Sequence, residues 1–176
     1  KPESKLWWND GFWWGSMFNA TALEYRIYRL HWPTQTWEDT GIALDNRPTS
    51  KADVLWDAEN QKLYVASHIS KDPAVHTNDS TEQGRLYRYT YHKQTRVYSL
   101  DAGFPVNVNT DKTETLVLTK DASGRLWVTY VSESGNDQVV NVNSSAGGTL
   151  ADDNNWGIPF VLPFPEATVG KGDIAS

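Results

Sequence analysis

Residues 121–128, DASGRLWV, decide the fold class of this chain. The aspartate and glycine are typical of a tight turn, and a basic residue, a leucine, a tryptophan and a valine follow them. The same order occurs at residues 57–65, DAENQKLYV, and its second half also occurs at residues 5–8, KLWW. A turn followed by a short aromatic and β-branched run is typical of a β-hairpin. The sequence therefore predicts a repeated hairpin.

Other landmarks recur at the same spacing of about 60 residues. RIYRLHW at residues 26–32 matches RLYRYTY at residues 85–91, and glycines 41, 103 and 157 each begin a similar apolar run. Residues 52–55, 114–117 and 172–175 also align. A fixed period of this length indicates a chain built from repeats of one supersecondary unit.

Each repeat is predicted to contain four short strands and no helix. In the second repeat these are strand a (53–56), strand b (62–67), strand c (85–91) and strand d (96–100). Strand c alternates with period two, and no stretch carries apolar residues at helical spacing. Four short antiparallel strands, repeated, indicate an all-β chain of β-propeller blades. We expect a single domain over residues 1–176, with the second repeat at about 51–111 and the third at about 112–171.

The third repeat also carries the landmarks of a known family. Residues Thr119, Asp121, Gly124 and Trp127 follow the order of an Asp-box, with one residue more than its usual spacing. The hairpin at 121–128 resembles the blades of sialidase-like (BNR/Asp-box) and regulator-type propellers. The resemblance implies a propeller fold, and a fold alone implies no activity.

The first repeat is expected to begin out of phase. If residues 5–8 are strand b, then residues 5–50 supply strands b, c and d, and residues 172–176 supply the missing strand a. Three blades cannot close a ring, since closed propellers have four or more. The sequence thus predicts an arc of three blades that a homodimer closes to six. The alternatives are a fragment of a longer propeller and an engineered chain.

Composition excludes several classes of protein. The net charge is −6 and basic residues are scattered, which argues against a nucleic-acid partner. Cysteine is absent, so neither disulfides nor cysteine-bound metals are possible. No apolar run reaches the length of a membrane span, and no cofactor motif occurs. Residues 1–20 carry no signal-peptide pattern. The Asn-x-Ser/Thr triplets at Asn19, Asn78 and Asn143 favour a secreted, extracellular protein.

Two groups of candidate ligand-binding residues follow from the propeller prediction. Asp53, Glu114 and Asp173 begin strand a of successive repeats, and this strand lines the channel of a propeller. Their carboxylates would ring one mouth of the channel and bind a cation or the hydroxyls of a ligand. His68 ends strand b at a mouth. The alternative is that these groups are solvated or bind backbone donors.

The second group lies in the tryptophan-rich stretch at residues 7–14. Trp13 and Trp14 have no counterpart in the other repeats, so they could form a stacking platform for sugar rings. The alternative is packing between blades, which the repeat positions of Trp7 and Trp8 favour.

The sequence favours a non-catalytic binding or scaffold module for a carbohydrate or protein ligand. The rivals are a truncated glycoside hydrolase or lyase of the sialidase-like class, and a propeller fragment that only self-assembles. A sialidase site needs three arginines around a carboxylate. Here the arginines at 26, 29, 85 and 88 recur at repeat positions, which indicates side chains that cover aromatic surface. No catalytic residue is assigned.

Overall fold

A computed structural model describes residues 3–47, 49–69, 83–113, 115–134, 137–163 and 168–169. In these residues the secondary structure is β-strand and turn, without helix, so the predicted all-β class is confirmed. The described part of the chain therefore contains no helix that could cross a membrane.

The strands form three antiparallel sheets in chain order. Sheet 1 contains β1 (Leu6–Asn9), β2 (Phe12–Asn19), β3 (Glu24–His31) and β4 (Thr36–Asp45). Sheet 2 contains β5 (Ser50–Asp57), β6 (Lys62–Ile69), β7 (Gln83–His92), β8 (Val97–Leu100) and β9 (Val106–Lys112), which also pairs with β7. Sheet 3 contains β10 (Leu116–Lys120), β11 (Leu126–Ser134), β12 (Asp137–Ser144), β13 (Phe160–Val161) and β14 (Thr168–Val169), which also pairs with β12.

The predicted strands of the second repeat are confirmed, whereas those of the first need correction. Strands a to d correspond to β5 to β8. In the first repeat, however, residues 6–45 supply four strands rather than three. Asp10 and Gly11 have φ angles of 51° and 80° and make a two-residue turn, so the tryptophan-rich stretch forms two paired strands. Sheet 1 reaches four strands without residues 172–176, which lie outside the described residues.

Counting residue pairs outward from each β-hairpin turn aligns the three sheets. The pairs next to the turns are Asn9–Phe12, Asp57–Lys62 and Asp121–Arg125. The second pairs are Trp8–Trp13, Trp56–Leu63 and Lys120–Leu126. The third pairs are Trp7–Trp14, Leu55–Tyr64 and Thr119–Trp127. The fourth pairs are Leu6–Gly15, Val54–Val65 and Leu118–Val128. The turns differ in length, so matching the sequence by its motifs misplaces positions that the pairing identifies.

Sheet 2 lies between the other two, with a hydrophobic core on each face. The third pair of sheet 1, Trp7 and Trp14, packs in one core with the second and fourth pairs of sheet 2. In the other core Tyr64 of sheet 2 packs with Leu126 and Val128 of sheet 3. Both cores thus repeat one rule: the third pair of each sheet covers the second and fourth pairs of the next.

The first strands of the three sheets also meet. Strand β5 contacts β1 on one side and β10 on the other. Asp53 on β5 joins them, because its carboxylate accepts hydrogen bonds from the backbone N–H of Ser4 (2.6 Å) and of Leu118 (2.8 Å). The first strands of the three sheets therefore lie side by side, with β5 between β1 and β10.

Candidate functional site

The most exposed aromatic surface lies on the face of sheet 1 that points away from sheet 2. We call it the tryptophan face; it comprises Leu6, Trp8, Trp13, Leu30 and the following turn residue Trp32. Trp8 is 53% exposed, Trp13 is 40% exposed and Trp32 is 67% exposed. The Trp8 and Trp13 rings pack edge to face, with their centres 5.4 Å apart. Large apolar side chains grouped in this way mark a binding surface.

A pocket of about 620 Å³ opens at the turn end of this face. Its size is within the range of small-molecule sites. It is lined by Trp8, Gly11, Phe12, Trp13, Arg29, Leu30, His31, Trp32 and Pro33. The lining thus combines indole rings with one guanidinium and one imidazole group.

Arg29, which also lines the pocket, packs its guanidinium on the aromatic side chains of sheet 1. Its guanidinium lies 5.2 Å from the centre of the Phe12 ring, and it binds Glu38 at 2.9 Å. The guanidinium of Arg96, in the turn before β8, also lies near Phe12, at 5.0 Å from the ring centre. The hydrogen bond from Arg29 lowers the pKa of Glu38. The expectation that repeated arginines cover aromatic surface is confirmed for Arg29.

The tryptophan face has buried equivalents in the other two sheets. Trp13 corresponds to Leu63 and Leu126, which are both 0% exposed. Leu6 is 46% exposed and corresponds to Val54 and Leu118, which are 8% and 6% exposed. In sheets 2 and 3 these positions are covered by the preceding sheet. The tryptophan face is therefore the one copy of this packing surface that no described residue of the chain covers.

Of the two predicted stacking tryptophans, only Trp13 lies at the pocket. Trp14 points to the other side of sheet 1, is 1% exposed and donates a hydrogen bond from its indole N–H to the Asn9 carbonyl. Its ring packs edge to face on Tyr98 of sheet 2. Trp14 is thus part of the core, and no ligand could stack on it without unfolding.

Of the predicted acidic ring, only Asp53 lies within the described residues. Asp53 is buried and bound to backbone donors, and burial raises its pKa even though the bonds from Leu118 and Ser4 act in the opposite direction. Counted from the turn, its counterpart in sheet 3 is Val117, not the expected Glu114. Glu114 and Asp173 lie outside the described residues. Asp53 therefore serves to connect neighbouring sheets.

His68 is also enclosed rather than displayed. It is 0% exposed at the end of β6, and its Nε2 lies 3.7 Å from the buried carboxylate of Glu3. A ligand outside the protein could not reach this imidazole without displacing the residues that cover it. The predicted position of His68 at a channel mouth does not make it accessible.

Carboxylates that neighbour one another in the sequence could serve glycoside hydrolysis, but those at residues 38, 39 and 153 make structural bonds. Glu38 and Asp39 bind Arg29 and Arg26, and Asp153 accepts hydrogen bonds from Tyr64 and Arg88. Among the described residues, no three histidine or acidic side chains are grouped as metal ligands. Sequence reasoning missed Trp32 and His31 as pocket residues, because the end of a strand and the turn after it gave no sign that they lie beside Trp13.

Comparison with known proteins gives no relative for this chain: no protein-family model matches it, and no curated protein sequence is significantly similar to it.

Proposed function

We propose that this chain is a non-catalytic scaffold module of β-propeller type that binds a protein through the tryptophan face. The observation that carries the proposal is the exposure of Leu6 and Trp13, whose equivalents in sheets 2 and 3 are buried, together with that of Trp8, whose equivalents Trp56 and Lys120 are half-buried. Burying each such side chain contributes roughly 1.5–3 kcal/mol. A sheet-like protein surface is the natural occupant, because this surface type packs against a sheet at both other places where it occurs.

The propeller arrangement is part of the proposal. It is supported by three sheets with strands in chain order, by first strands that lie side by side, and by the same packing rule at both cores. In this view the chain supplies three blades of an arc, and a homodimer would complete a ring of six. An extracellular location, favoured by the Asn-x-Ser/Thr triplets, is a further part of the proposal.

Carbohydrate binding is the second candidate function, and the pocket favours it. The pocket is lined by three tryptophans, and indole rings stack on the apolar faces of sugars. Trp32 distinguishes the candidates, because it is 67% exposed on a turn rather than on the flat of the sheet. A flat protein partner depends chiefly on Trp8 and Trp13, whereas a sugar in the pocket also depends on Trp32.

One set of variants tests both candidates. The unmodified chain, Trp13→Ala and Trp32→Ala are compared by sedimentation, on a glycan array and in a glycoside hydrolysis screen. Val97→Ala, which removes an exposed apolar side chain from sheet 2, is the matched control. For protein binding, Trp13→Ala weakens association by roughly tenfold or more and Trp32→Ala has little effect.

The other results have equally clear meanings. Glycan binding that both tryptophan variants lose would establish the second candidate. Turnover of a glycoside by the unmodified chain would contradict the non-catalytic proposal, and a chain that neither associates nor binds a glycan would contradict both candidates.

A further inference from the structure

We infer that the partner of the tryptophan face is the outer face of sheet 3 in a second copy of this chain. This inference rests on the proposed function, and it specifies which surfaces meet. The outer face of sheet 3 is the side turned away from sheet 2. It carries Trp127 in the third residue pair, together with Thr129 and Val142.

The packing rule within the chain identifies this pairing. At both internal contacts, the aromatic residue of a third pair covers the second and fourth pairs of the next sheet. Trp14 does so from sheet 1 and Tyr64 from sheet 2, and each is 1% exposed. Trp127 is the third such residue, and it is only half-buried. Among the described residues, Trp127 of sheet 3 therefore has no further sheet to cover, and no sheet covers the tryptophan face of sheet 1.

Neighbouring positions support the same pairing. Val142, which is 8% exposed in the single chain, corresponds to Ile27 and Leu86, both 0% exposed in the internal contacts. The indole N–H of Trp127 donates to Asp121 at 2.8 Å, which fixes the ring against the sheet. This face also carries the exposed Thr129, where sheets 1 and 2 have Ser16 and Ala66. A more polar contact than the internal ones is expected to dissociate on dilution.

The contact joins two different surfaces, so it is head-to-tail. Two chains that each use both surfaces form two identical contacts and close a ring of six sheets. The simplest rival is a symmetric contact in which two tryptophan faces meet each other. The two arrangements differ in one respect: only the head-to-tail contact requires sheet 3.

Mixing of two charged variants tests this difference. Trp8→Lys blocks the tryptophan face and Thr129→Lys blocks the outer face of sheet 3; both side chains are exposed. The mass of each variant and of their equimolar mixture is measured by sedimentation and native mass spectrometry. Val97→Lys on β8 is the control for added charge, and circular dichroism establishes that each variant is folded. If Trp8→Lys is unfolded, Leu6→Lys replaces it.

The expected result is a single-chain mass for each variant alone and a two-chain species in the mixture. That species keeps one intact contact, between the tryptophan face of the Thr129→Lys chain and sheet 3 of the Trp8→Lys chain. A Thr129→Lys chain that still dimerises, or a mixture that stays monomeric, would overturn the inference.

The proposed function is distinguished from the inference by the unmodified chain. A dimer that Trp8→Lys breaks and Thr129→Lys leaves intact keeps the protein-binding proposal and discards the head-to-tail contact. A monomeric unmodified chain overturns the inference, and its glycan binding then decides whether the second candidate function stands.

Discussion

At the scale of single residues, Asp53 has the clearest role. Among the described residues, it is the only one whose side chain bonds to the backbone on both sides of β5. Its carboxylate accepts one hydrogen bond from Ser4, which precedes β1, and one from Leu118 in β10. A buried carboxylate in this position costs solvation free energy, and the two backbone bonds offset part of that cost. Asp53 thus shows why an acidic residue that looks like a ligand can be structural.

Replacing Asp53 with asparagine is expected to destabilise the chain by roughly 1–3 kcal/mol. The amide keeps the size of the side chain, but one of its two polar atoms becomes a donor that faces a backbone N–H. Urea unfolding at pH 7 measures the change, with the exposed Glu59→Gln as control. Equal midpoints for Asp53→Asn and the unmodified chain would contradict the role given to Asp53.

Asp101 provides a prediction for acid stability. Its carboxylate accepts hydrogen bonds from Lys62 and Arg88, at 2.6 Å each, and from Thr90. Burial is the largest single influence on its pKa and raises it, but these bonds together outweigh burial and lower the pKa. A carboxyl whose folded pKa is lowered stabilises the fold above its unfolded pKa of about 3.9. That stability is lost as the pH falls through the folded pKa.

Asp101→Asn should therefore be less stable than the unmodified chain at neutral pH, by roughly 2–4 kcal/mol. The difference should shrink as the pH is lowered below about 4, because the carboxyl of the unmodified chain then becomes neutral too. Urea unfolding at a series of pH values between neutral and strongly acidic measures both free energies. A difference that stays constant over this series would rule out the ionised carboxylate as its source.

At the scale of elements, the turns determine how the repeats align. Gly11 and Gly124 both have positive φ angles, of 80° and 89°. A Cβ at Gly11 would meet no atom within 4 Å, whereas a Cβ at Gly124 would overlap the carbonyl oxygen of Gly148. The turn of sheet 3 is therefore packed against a second loop at Gly124, whereas the turn of sheet 1 leaves open space at Gly11.

Alanine at these two glycines should separate backbone strain from packing. Gly11→Ala is expected to cost about 1–2 kcal/mol, from the left-handed conformation alone. Gly124→Ala should cost roughly 3 kcal/mol or more, because the loop at Gly148 must also move. Thermal and urea unfolding of the two variants measure the costs. Equal costs would show that the loop moves freely and that the close contact contributes nothing.

Sequence reasoning succeeded for elements whose residues repeat with their turns. The turns at Asp57 and Asp121 each separate two runs of β-branched and aromatic residues. Those runs located β5 and β6 in one repeat, and β10 and β11 in the next. It failed in the first repeat, because Leu6-Trp7-Trp8 resembles the second strand of the later repeats but lies in the first strand of its own sheet. Only the pairing of Asn9 with Phe12 shows that a two-residue turn separates β1 from β2.

At the scale of the whole molecule, the candidate site was located by the exposure of its side chains to solvent. A sequence does not give that exposure. Trp13 and Trp14 are neighbours of one residue type, yet they point to opposite faces of sheet 1. Sequence reasoning grouped them because successive residues face opposite sides of a sheet only within a strand, and the run is too short to show where the strand begins. The pocket residue Trp32 comes from a different turn and could be found only in three dimensions.

The central claim is that a second copy of the chain covers the tryptophan face. The mass of the unmodified chain in solution, measured by sedimentation equilibrium over a range of concentrations, tests it most directly. The account predicts a species of about 40 kDa, twice the 19.9 kDa of one chain, which dissociates on dilution. A single species of 19.9 kDa at every concentration would contradict it.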